Sequence, residues 1–547
     1  MSKTTQGSFI TLNGEEFYKI SNYDCMEDFF MTMISASDIW NFCWSQGGLT
    51  AGRIDCDHAV FPYYTADKVK DAKSYTGPHT VITIKSSTST ENWKPFEEID
   101  SSLLDSNNFE RNLYKNVSGT KIIFEEINKK LNLAFRYCWT SSAKFGLVRK
   151  VSVENLSSSS VEVTVLDGCK NILPACVTAD FQNNNSVLLD AYKKTELDTE
   201  SNLAIFTVSS IVTDKAEPNE GLYANTCWFN TKDTPILDLD EKAATISRGK
   251  RPACFIEKNI KLNGIACETW YQVFDTYLDS CRVADLTAKL ADKVALTKEL
   301  EEDIENGTKA IMNRIAEADG IQETAEKSTT IHHSANVLFN IMRGGIFANG
   351  GKIDVEDFVN STAVRNKAGA KELASLLQSK GISGLVDYST LKDAIFTDDG
   401  CPQAKRLFLE YMPLTFSRRH GDPSRPWNRF AIKIQNPDGS QVLNYEGNWR
   451  DIFQNWEALV WSYPEYIENM CAKFLNAMTI DGFNPYRITR QGIDWEVPEP
   501  DNPWAQIGYW GDHQVIYFEK LLEFCLKTKK QEFLDGLNEA IYASSNV

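Results

Sequence analysis

Val283-Ala-Asp-Leu-Thr-Ala-Lys-Leu-Ala-Asp-Lys-Val-Ala-Leu-Thr-Lys-Glu-Leu300 is the stretch at which the hydrophobic period of this chain changes. Leu286, Leu290, Val294, Leu296 and Leu300 fall at helical steps among charged residues, and Ile304, Ala310, Ile311 and Ile315 continue the stripe. This reads as a charged amphipathic connector of one or two helices, with Asn306-Gly307 as the expected break. Upstream, from Ser8 to about Asp279, the period is two. Alternation shows in Thr80 to Lys85 (TVITIK), Lys121 to Glu126, Val161 to Leu166 (VEVTVL) and Leu203 to Val212, each bounded by Gly, Asn, Ser or Asp. So many strands without long helices between them predict a large antiparallel sandwich. Downstream the helical period persists. Ser334 to Asn349 reads as a helix ended by Gly344-Gly345, and Lys371 to Leu377 as another. Pro464 to Met478 reads as a third, with Ile467, Met470, Cys471, Phe474 and Met478 on one apolar stripe. The chain is therefore read as an α+β multidomain protein: a β domain over 1–282, a helical linker over 283–330 and a helical domain over 331–547.

A length of 547 residues exceeds one ordinary core and agrees with that division. The formal net charge of −18 argues against a nucleic-acid or anionic-membrane partner, because both require a basic face. Neutral saccharides fit more easily. Thirteen cysteines are scattered with no CxxC pair, which predicts reduced, mostly buried thiols and a cytoplasmic protein. The N-terminus has no apolar h-region, and no window reaches the ~18 apolar residues of a membrane span. The sequons at Asn116 and Asn155 are then chance matches. No Walker loop, HExxH or GxSxG element occurs, and neither a metal nor a cofactor is expected.

Two stretches carry chemistry. In the β half, Trp40-Asn-Phe-Cys-Trp-Ser-Gln-Gly-Gly-Leu-Thr-Ala-Gly-Arg53 leads to Asp55, Asp57, His58 and Phe61-Pro-Tyr-Tyr-Thr65. Its glycines mark close backbone approach; Arg53 and the Tyr63–Tyr64 pair either edge a site or belong to a glycine-rich hairpin around a buried Arg. His58 and His79 stand alone and are not read as metal ligands. In the helical half, Asn444-Tyr-Glu-Gly-Asn-Trp-Arg-Asp-Ile-Phe-Gln-Asn-Trp456 reads as a helix mouth, with Asn448 as N-cap. Trp449, Phe453, Trp456 and Val460 form an inward wall. Arg450 and Gln454 share one face, with Asp451 and Asn455 beside it. The bland alternative is a capped amphipathic helix with a solvated face. Between Asp481 and Asp512 the chain is dense in Trp, Tyr, Asp, Glu, Arg and Asn yet broken by Gly and Pro, as a loop over a sugar would be. Trp495 and Trp510 supply rings there.

These residues together resemble the inverting sugar phosphorylases of the cellobiose phosphorylase type and related large six-hairpin glycosidase-like proteins. Gly47 to Arg53 with Phe61 to Thr65 is similar to that family's opening motif. Trp449-Arg450-Asp451 with Gln454 and Asn455 resembles its RDxxQD helix, and Trp510-Gly511-Asp512 a later Asp at the barrel mouth. The resemblance implies an N-terminal β supersandwich of galactose-mutarotase-like type, a helical linker and an (α/α)6-type barrel. It implies action on β-linked glucosides by inverting phosphorolysis or hydrolysis, with inorganic phosphate as possible co-substrate, and often a homodimer. Arg450 and Asp451 would then hold the sugar on the non-reducing side of the bond. Asn455 stands where the family has Asp. A hairpin with its loops takes roughly 50–60 residues, so about four of six fit, and the barrel is expected to be incomplete, the chain being a fragment or half of a split pair.

An inverting enzyme needs one protonated carboxyl. Asp451, Asp494, Glu496 and Asp512 are the carboxyls placed near the mouth; Asp494 or Glu496 is the candidate acid, desolvated by Trp495 and Trp504. For each, a helix cap or loop hydrogen bond is the competing role. Arg418, Arg419 and His420, followed by Gly421-Asp-Pro-Ser-Arg425, either bind phosphate or form a structural loop anchored by Arg–Asp pairs. The second class of function is a non-catalytic carbohydrate-binding or scaffolding protein.

Overall fold

A computed structural model describes residues 3–85, 90–97, 108–213, 219–397, 402–425, 429–436, 438–495, 509–510 and 514–545. The chain divides into two compact units, Met1–Met312 with Gly421–Ile432, and Asn313–His420 with Lys433–Val547.

Unit 1 begins with β1 (Gln6–Leu12), β2 (Glu15–Ser21), β3 (Phe30–Met33), β4 (Ile39–Trp44), β5 (Leu49–Arg53), β6 (Ala59–Phe61) and the short helix α1 (Ala66–Asp71). There follow β7 (Gly77–Lys85), β8 (Thr90–Trp93), β9 (Phe109–Asn116), β10 (Ile122–Asn128), β11 (Leu133–Ser142), β12 (Gly146–Asn155) and β13 (Val161–Lys170). After α2 (Ala179–Asn184) and α3 (Ser186–Tyr192) come β14 (Lys193–Asp198), β15 (Leu203–Val208), β16 (Ala224–Phe229), β17 (Ile246–Arg248), β18 (Ala253–Leu262) and β19 (Cys267–Leu278). Eleven strands pair in the order β1-β2-β9-β10-β11-β12-β19-β16-β15-β14-β17, every pair antiparallel. Two four-stranded sheets, β18-β13-β7-β8 and β3-β4-β5-β6, complete the unit. The expected strands fall in β7, β10, β13 and β15, and the alternation in Val161–Leu166 is visible as burial of Val163 and Val165 between less buried neighbours.

One apolar cluster runs through the sheets, with Ile82, Phe124, Phe135, Trp139, Val151, Val165, Ile256 and Trp270 among its members. Inside it sits a charged pair. Arg149 holds Asp167 through two contacts of 2.9 Å, both side chains fully buried, and Asp167 also accepts from Trp270 Nε1 at 2.9 Å and Thr80 Oγ1 at 2.6 Å. A buried ion pair is tolerable only when its remaining lone pairs are satisfied in this way.

The second face of the large sheet is covered by α4 (Ser280–Lys289) and α5 (Lys293–Glu317). Leu286, Leu290, Leu296, Leu300 and Ile304 pack there on Phe145, Val148, Trp228, Tyr271 and Val273. The connector thus lies against unit 1 as far as Met312. The expected break at Asn306-Gly307 does not occur: α5 runs through both residues, and the interruption is the 3-10 turn Leu290–Asp292. A single Gly costs a helix only about 1 kcal/mol, which continuous burial of Leu300, Ile304 and Ile311 outweighs.

Unit 2 is predominantly helical. In chain order it contains α6 (Lys327–Gly344), β20 (Ile346–Phe347), β21 (Ile353–Asp354), α7 (Val355–Arg365), α8 (Lys367–Ser379), β22 (Leu385–Val386), α9 (Tyr388–Phe396), α10 (Pro402–Leu409) and β23 (Leu414–Thr415). The remainder is β24 (Glu446–Asn448), α11 (Trp449–Leu459), α12 (Ile467–Ala477), β25 (Phe483–Asn484), β26 (Arg487–Thr489), β27 (Ile493–Asp494), β28 (Tyr509–Trp510), α13 (Val515–Thr528) and α14 (Lys530–Gly536). Helix α11 packs on α6 and α13, while α10 packs on α8, α9 and α12. Among the described residues no helix is long and apolar enough to cross a membrane, and the cysteines are free thiols.

Because Asp167 is paired at zero exposure, Arg149→Met alone is expected to destabilise unit 1 by about 3–5 kcal/mol in urea unfolding followed by tryptophan fluorescence. Adding Asp167→Leu should recover part of that loss; a double variant worse than the single would show that the pair itself stabilises the sandwich.

Candidate functional site

Helix α11 begins where β24 ends, and its entry is fixed by the Trp449 amide, which donates to the Tyr486 carbonyl at 3.0 Å. Asn448 occupies the N-cap position but its side chain makes no cap bond. Trp449, Ile452, Phe453, Asn455, Trp456 and Leu459 are buried, so Arg450 and Gln454 face outward and Asp451 is half-buried beside them. Trp449 is only 1% exposed, its ring 4.6 Å from Phe453 and 5.1 Å from Phe474. It is therefore a packing surface with no open face for a sugar, and its indole Nε1 has no hydrogen-bond partner among the described residues. Asn455 also turns inward: its amide donates to the Asp451 carbonyl at 2.6 Å, and a Cβ at Gly344 of α6 would come within 2.8 Å of its own Cβ.

Three groups meet at the open side of the first turn. Asp451 Oδ2 lies 3.4 Å from His420 Nε2, and its Oδ1 is 4.0 Å from Arg450 Nε. Of the basic cluster, Arg418 is held by its amide to the Met342 carbonyl and by its guanidinium 4.9 Å over the Phe416 ring; Arg419, like Arg418, is half-buried. The segment after it, Gly421–Ile432, belongs to unit 1, where Arg429 pairs with Asp57 and Asp180.

The three-stranded sheet β24-β26-β27 stands at the same helix entrance. Its register sets Arg487 opposite both Asn448 and Asp494. Arg487 Nε donates to Asp494 Oδ2 at 2.6 Å, and the Asp494 side chain is 47% exposed. An ion-paired, half-exposed carboxylate lacks the apolar enclosure that a general acid requires. Trp495 follows it, half-buried. The backbone of Trp510 pairs with Phe483 in β28 and β25. Glu496, Trp504 and Asp512 lie outside the described residues.

The β-domain candidates sit within unit 1. Gly47 turns the β4–β5 hairpin at φ +99°, and Gly52 lets β6 approach so closely that a Cβ would stand 2.3 Å from the His58 carbonyl oxygen. Arg53 is buried, bonded to Asp38 at 2.6 Å and Asp275 at 2.5 Å, and Tyr63 is 9% exposed between Trp40 and Phe430. Both are therefore scaffold for the β3–β6 sheet. His58 pairs with Asp55 at 2.7 Å, and among the described residues no cluster of three His, Cys, Asp or Glu could hold a metal. The amides of Asn116 and Asn155 are buried in hydrogen bonds. Two cavities, of about 1030 and 370 Å³, lie in unit 1, and neither is lined by residues of α11.

Behind the mouth is a basic core that the sequence reading missed. Lys473 on α12 is 5% exposed with its Nζ 5.8 Å from the Tyr445 ring centroid, and no carboxylate pairs with it among the described residues. Nearby, Arg365 and Arg406 share Glu410, and Arg490 shares Asp357 with the Tyr411 hydroxyl. Burial, then the charges of Arg365 and Arg490, drives the Lys473 amine well below the usual lysine range. The signal was present: Tyr466, Met470, Lys473 and Ala477 lie on one helix face, and the other three are buried.

No family model matches the chain, and no curated protein matches it. Among solved structures, a polysaccharide lyase is similar over 48% of this chain and 34% of its own, at 10% identity and TM-score 0.28. A bacterial glucoamylase complexed with acarbose is similar over 89% and 72%, at 9% identity and TM-score 0.30. A family GH92 α-mannosidase from Bacteroides thetaiotaomicron follows over 76% and 60%, at 10% identity and TM-score 0.25. The chain spans about a third of the lyase's length, and likenesses of this size fix neither family nor activity.

A base whose folded pKa is depressed contributes a stability deficit wherever the unfolded chain binds the proton that the folded chain lacks. For Lys473 that deficit is absent above the unfolded value of about 10.4 and grows as pH falls toward the folded value. Lys473→Met should therefore raise the thermal midpoint at pH 7, and raise it less at pH 10. A fall in the midpoint at pH 7 would show that the ammonium has a compensating partner.

Proposed function

We propose that this protein is carbohydrate-active, resembling the inverting glycoside phosphorylases and hydrolases of the six-hairpin type. A saccharide is held at the first turn of α11, against Asp451, His420, Arg450 and Gln454. The observation that carries the reading is the geometry of that turn. Asp451 is half-shielded and 3.4 Å from His420, while Arg450 and Gln454 project to solvent from the same turn and the next. An acceptor flanked by cationic and amide donors suits vicinal hydroxyls, which pair with carboxylate and donor together. Stacking on Trp449 forms no part of this reading, because the ring is enclosed; Trp495 is the aromatic within reach of solvent beside β27.

The substrate class is a β-linked gluco-oligosaccharide. Turnover is by phosphorolysis, with inorganic phosphate meeting Arg418, Arg419 or His420, or by hydrolysis; of the two candidate acids, Asp494 and Glu496, the ion pair of Asp494 with Arg487 leaves Glu496 for the proton transfer that both reactions need. A barrel of paired helices, in which unit 2 supplies the mouth, belongs to the same reading. The alternative is saccharide binding without turnover, favoured by the ion-paired state of Asp494. Incubation with cello-oligosaccharides, with and without inorganic phosphate, separates the three. Sugar 1-phosphate indicates phosphorolysis, free sugar without phosphate indicates hydrolysis, and binding with neither product indicates a binding protein. In calorimetric titration Asp451→Asn is expected to weaken oligosaccharide binding about tenfold or more, the loss of one charge-assisted hydrogen bond. Unchanged affinity would remove α11 from the site.

A further inference from the structure

In unit 2 four cationic side chains from separate elements meet with two carboxylates between them among the described residues. Arg365 of α7 and Arg406 of α10 divide Glu410, Arg406 at 2.6 Å, and the Asn476 amide of α12 donates to the same carboxylate at 3.0 Å. Arg490, in the turn between β26 and β27, shares Asp357 with the Tyr411 hydroxyl and gives another nitrogen to the Leu443 carbonyl at 2.9 Å. Lys473 of α12 completes the set. Its amine lies 5.8 Å from the Tyr445 ring centroid, and the charges that act on it are those of Arg365 and Arg490, both repulsive. The Tyr445 phenol feels the same two guanidinium groups, which places Lys473 and Tyr445 between them.

This excess of cation is costly in two ways, because Lys473 is desolvated at 5% exposure and faces like charge without a carboxylate of its own. A methionine would fill the same stripe beside Tyr466, Met470 and Ala477 without either cost. The cluster is also open. The side chains of Arg365, Arg406 and Arg490 are 26%, 29% and 18% exposed, so solvent reaches the guanidinium groups. A guanidinium presents several N–H donors in a fixed fork, and one carboxylate shared by two of them leaves donors for a further acceptor. A tetrahedral oxyanion supplies what is missing: roughly two negative charges near neutral pH, and oxygens that point to several donors at once.

We propose that this cluster is a phosphate site, holding inorganic phosphate or the phosphate of a sugar ester among the Arg365, Arg406 and Arg490 guanidinium groups, with Lys473 as the fourth cation. It is built from residues other than the Arg418–His420 cluster and does not depend on the saccharide reading of α11. An anion held there stabilises Lys473 in its ammonium form. Calorimetric titration of the full chain with inorganic phosphate, with glucose 1-phosphate and with chloride at matched ionic strength tests the assignment. Saturable binding is expected for at least one of the two phosphates and not for chloride, and the tighter of the two tells free phosphate from ester. Lys473→Met and Arg406→Gln should each weaken that binding about tenfold. Lys473→Met removes a buried charge and is expected to fold at least as well as the parent, so its loss of binding is not a loss of fold. The proposal is overturned if neither phosphate saturates, if chloride binds equally well, or if phosphate affinity survives Lys473→Met. Affinity that survives Lys473→Met but is lost in Arg419→Gln would assign the phosphate to the Arg418–His420 cluster, sinking this inference and leaving the proposed function in place.

Discussion

The burial of one face of α11 is the constraint from which the rest of the site follows. Trp449, Phe453 and Trp456 bury three large rings at helical spacing against α6, α12 and α13, which leaves the helix no freedom to rotate. Each such ring is worth roughly 3–5 kcal/mol against alanine, far more than any surface contact on the opposite face. Arg450, Asp451 and Gln454 are therefore presented outward by packing, not by their own affinities. The Trp456 indole, which donates to the Gly344 carbonyl at 2.7 Å, also occupies one orphan acceptor at the end of α6. Position and polarity of the mouth are consequences of the core beneath it.

Charge in this acidic chain is concentrated rather than spread. Unit 1 places Arg149, Arg53, Arg111 and Arg136 against carboxylates; Arg53, Arg111 and Arg136 make further hydrogen bonds, while beside Arg149 the further bonds go to Asp167 and the buried Arg149 Nε has no partner among the described residues. Unit 2 repeats the device with Arg365, Arg406 and Arg490 but leaves Lys473 with only an aromatic ring. Neutralised pairs impose geometry at little net cost, whereas an unmatched buried amine is a local instability.

Much of the architecture was legible because period is a backbone property. Val163 and Val165 announce a half-buried strand, and Leu286 to Leu300 a helix, whatever surrounds them. Gly307 was misread because a local breaker was weighed without the tertiary burial that overrides it. The site was only half legible. Spacing sets which residues of α11 share a face, and the expected inward wall is present; whether Trp449 offers its ring to a ligand depends on Phe474, twenty-five positions away, and no local pattern encodes that. Arg53 shows the same limit, since its partners Asp38 and Asp275 are joined only by the fold of the sandwich. Lys473 was legible in principle, as a charge on a buried stripe, and was passed over because lysine is ordinarily an exposed residue.

The account stands or falls on where a saccharide touches the chain. Hydrogen–deuterium exchange of the full protein, with and without a cello-oligosaccharide at saturating concentration, reads this directly. Slowed exchange confined to residues 417–421, 446–455 and 487–495 is the predicted result. Protection elsewhere, or none at any concentration, would contradict it.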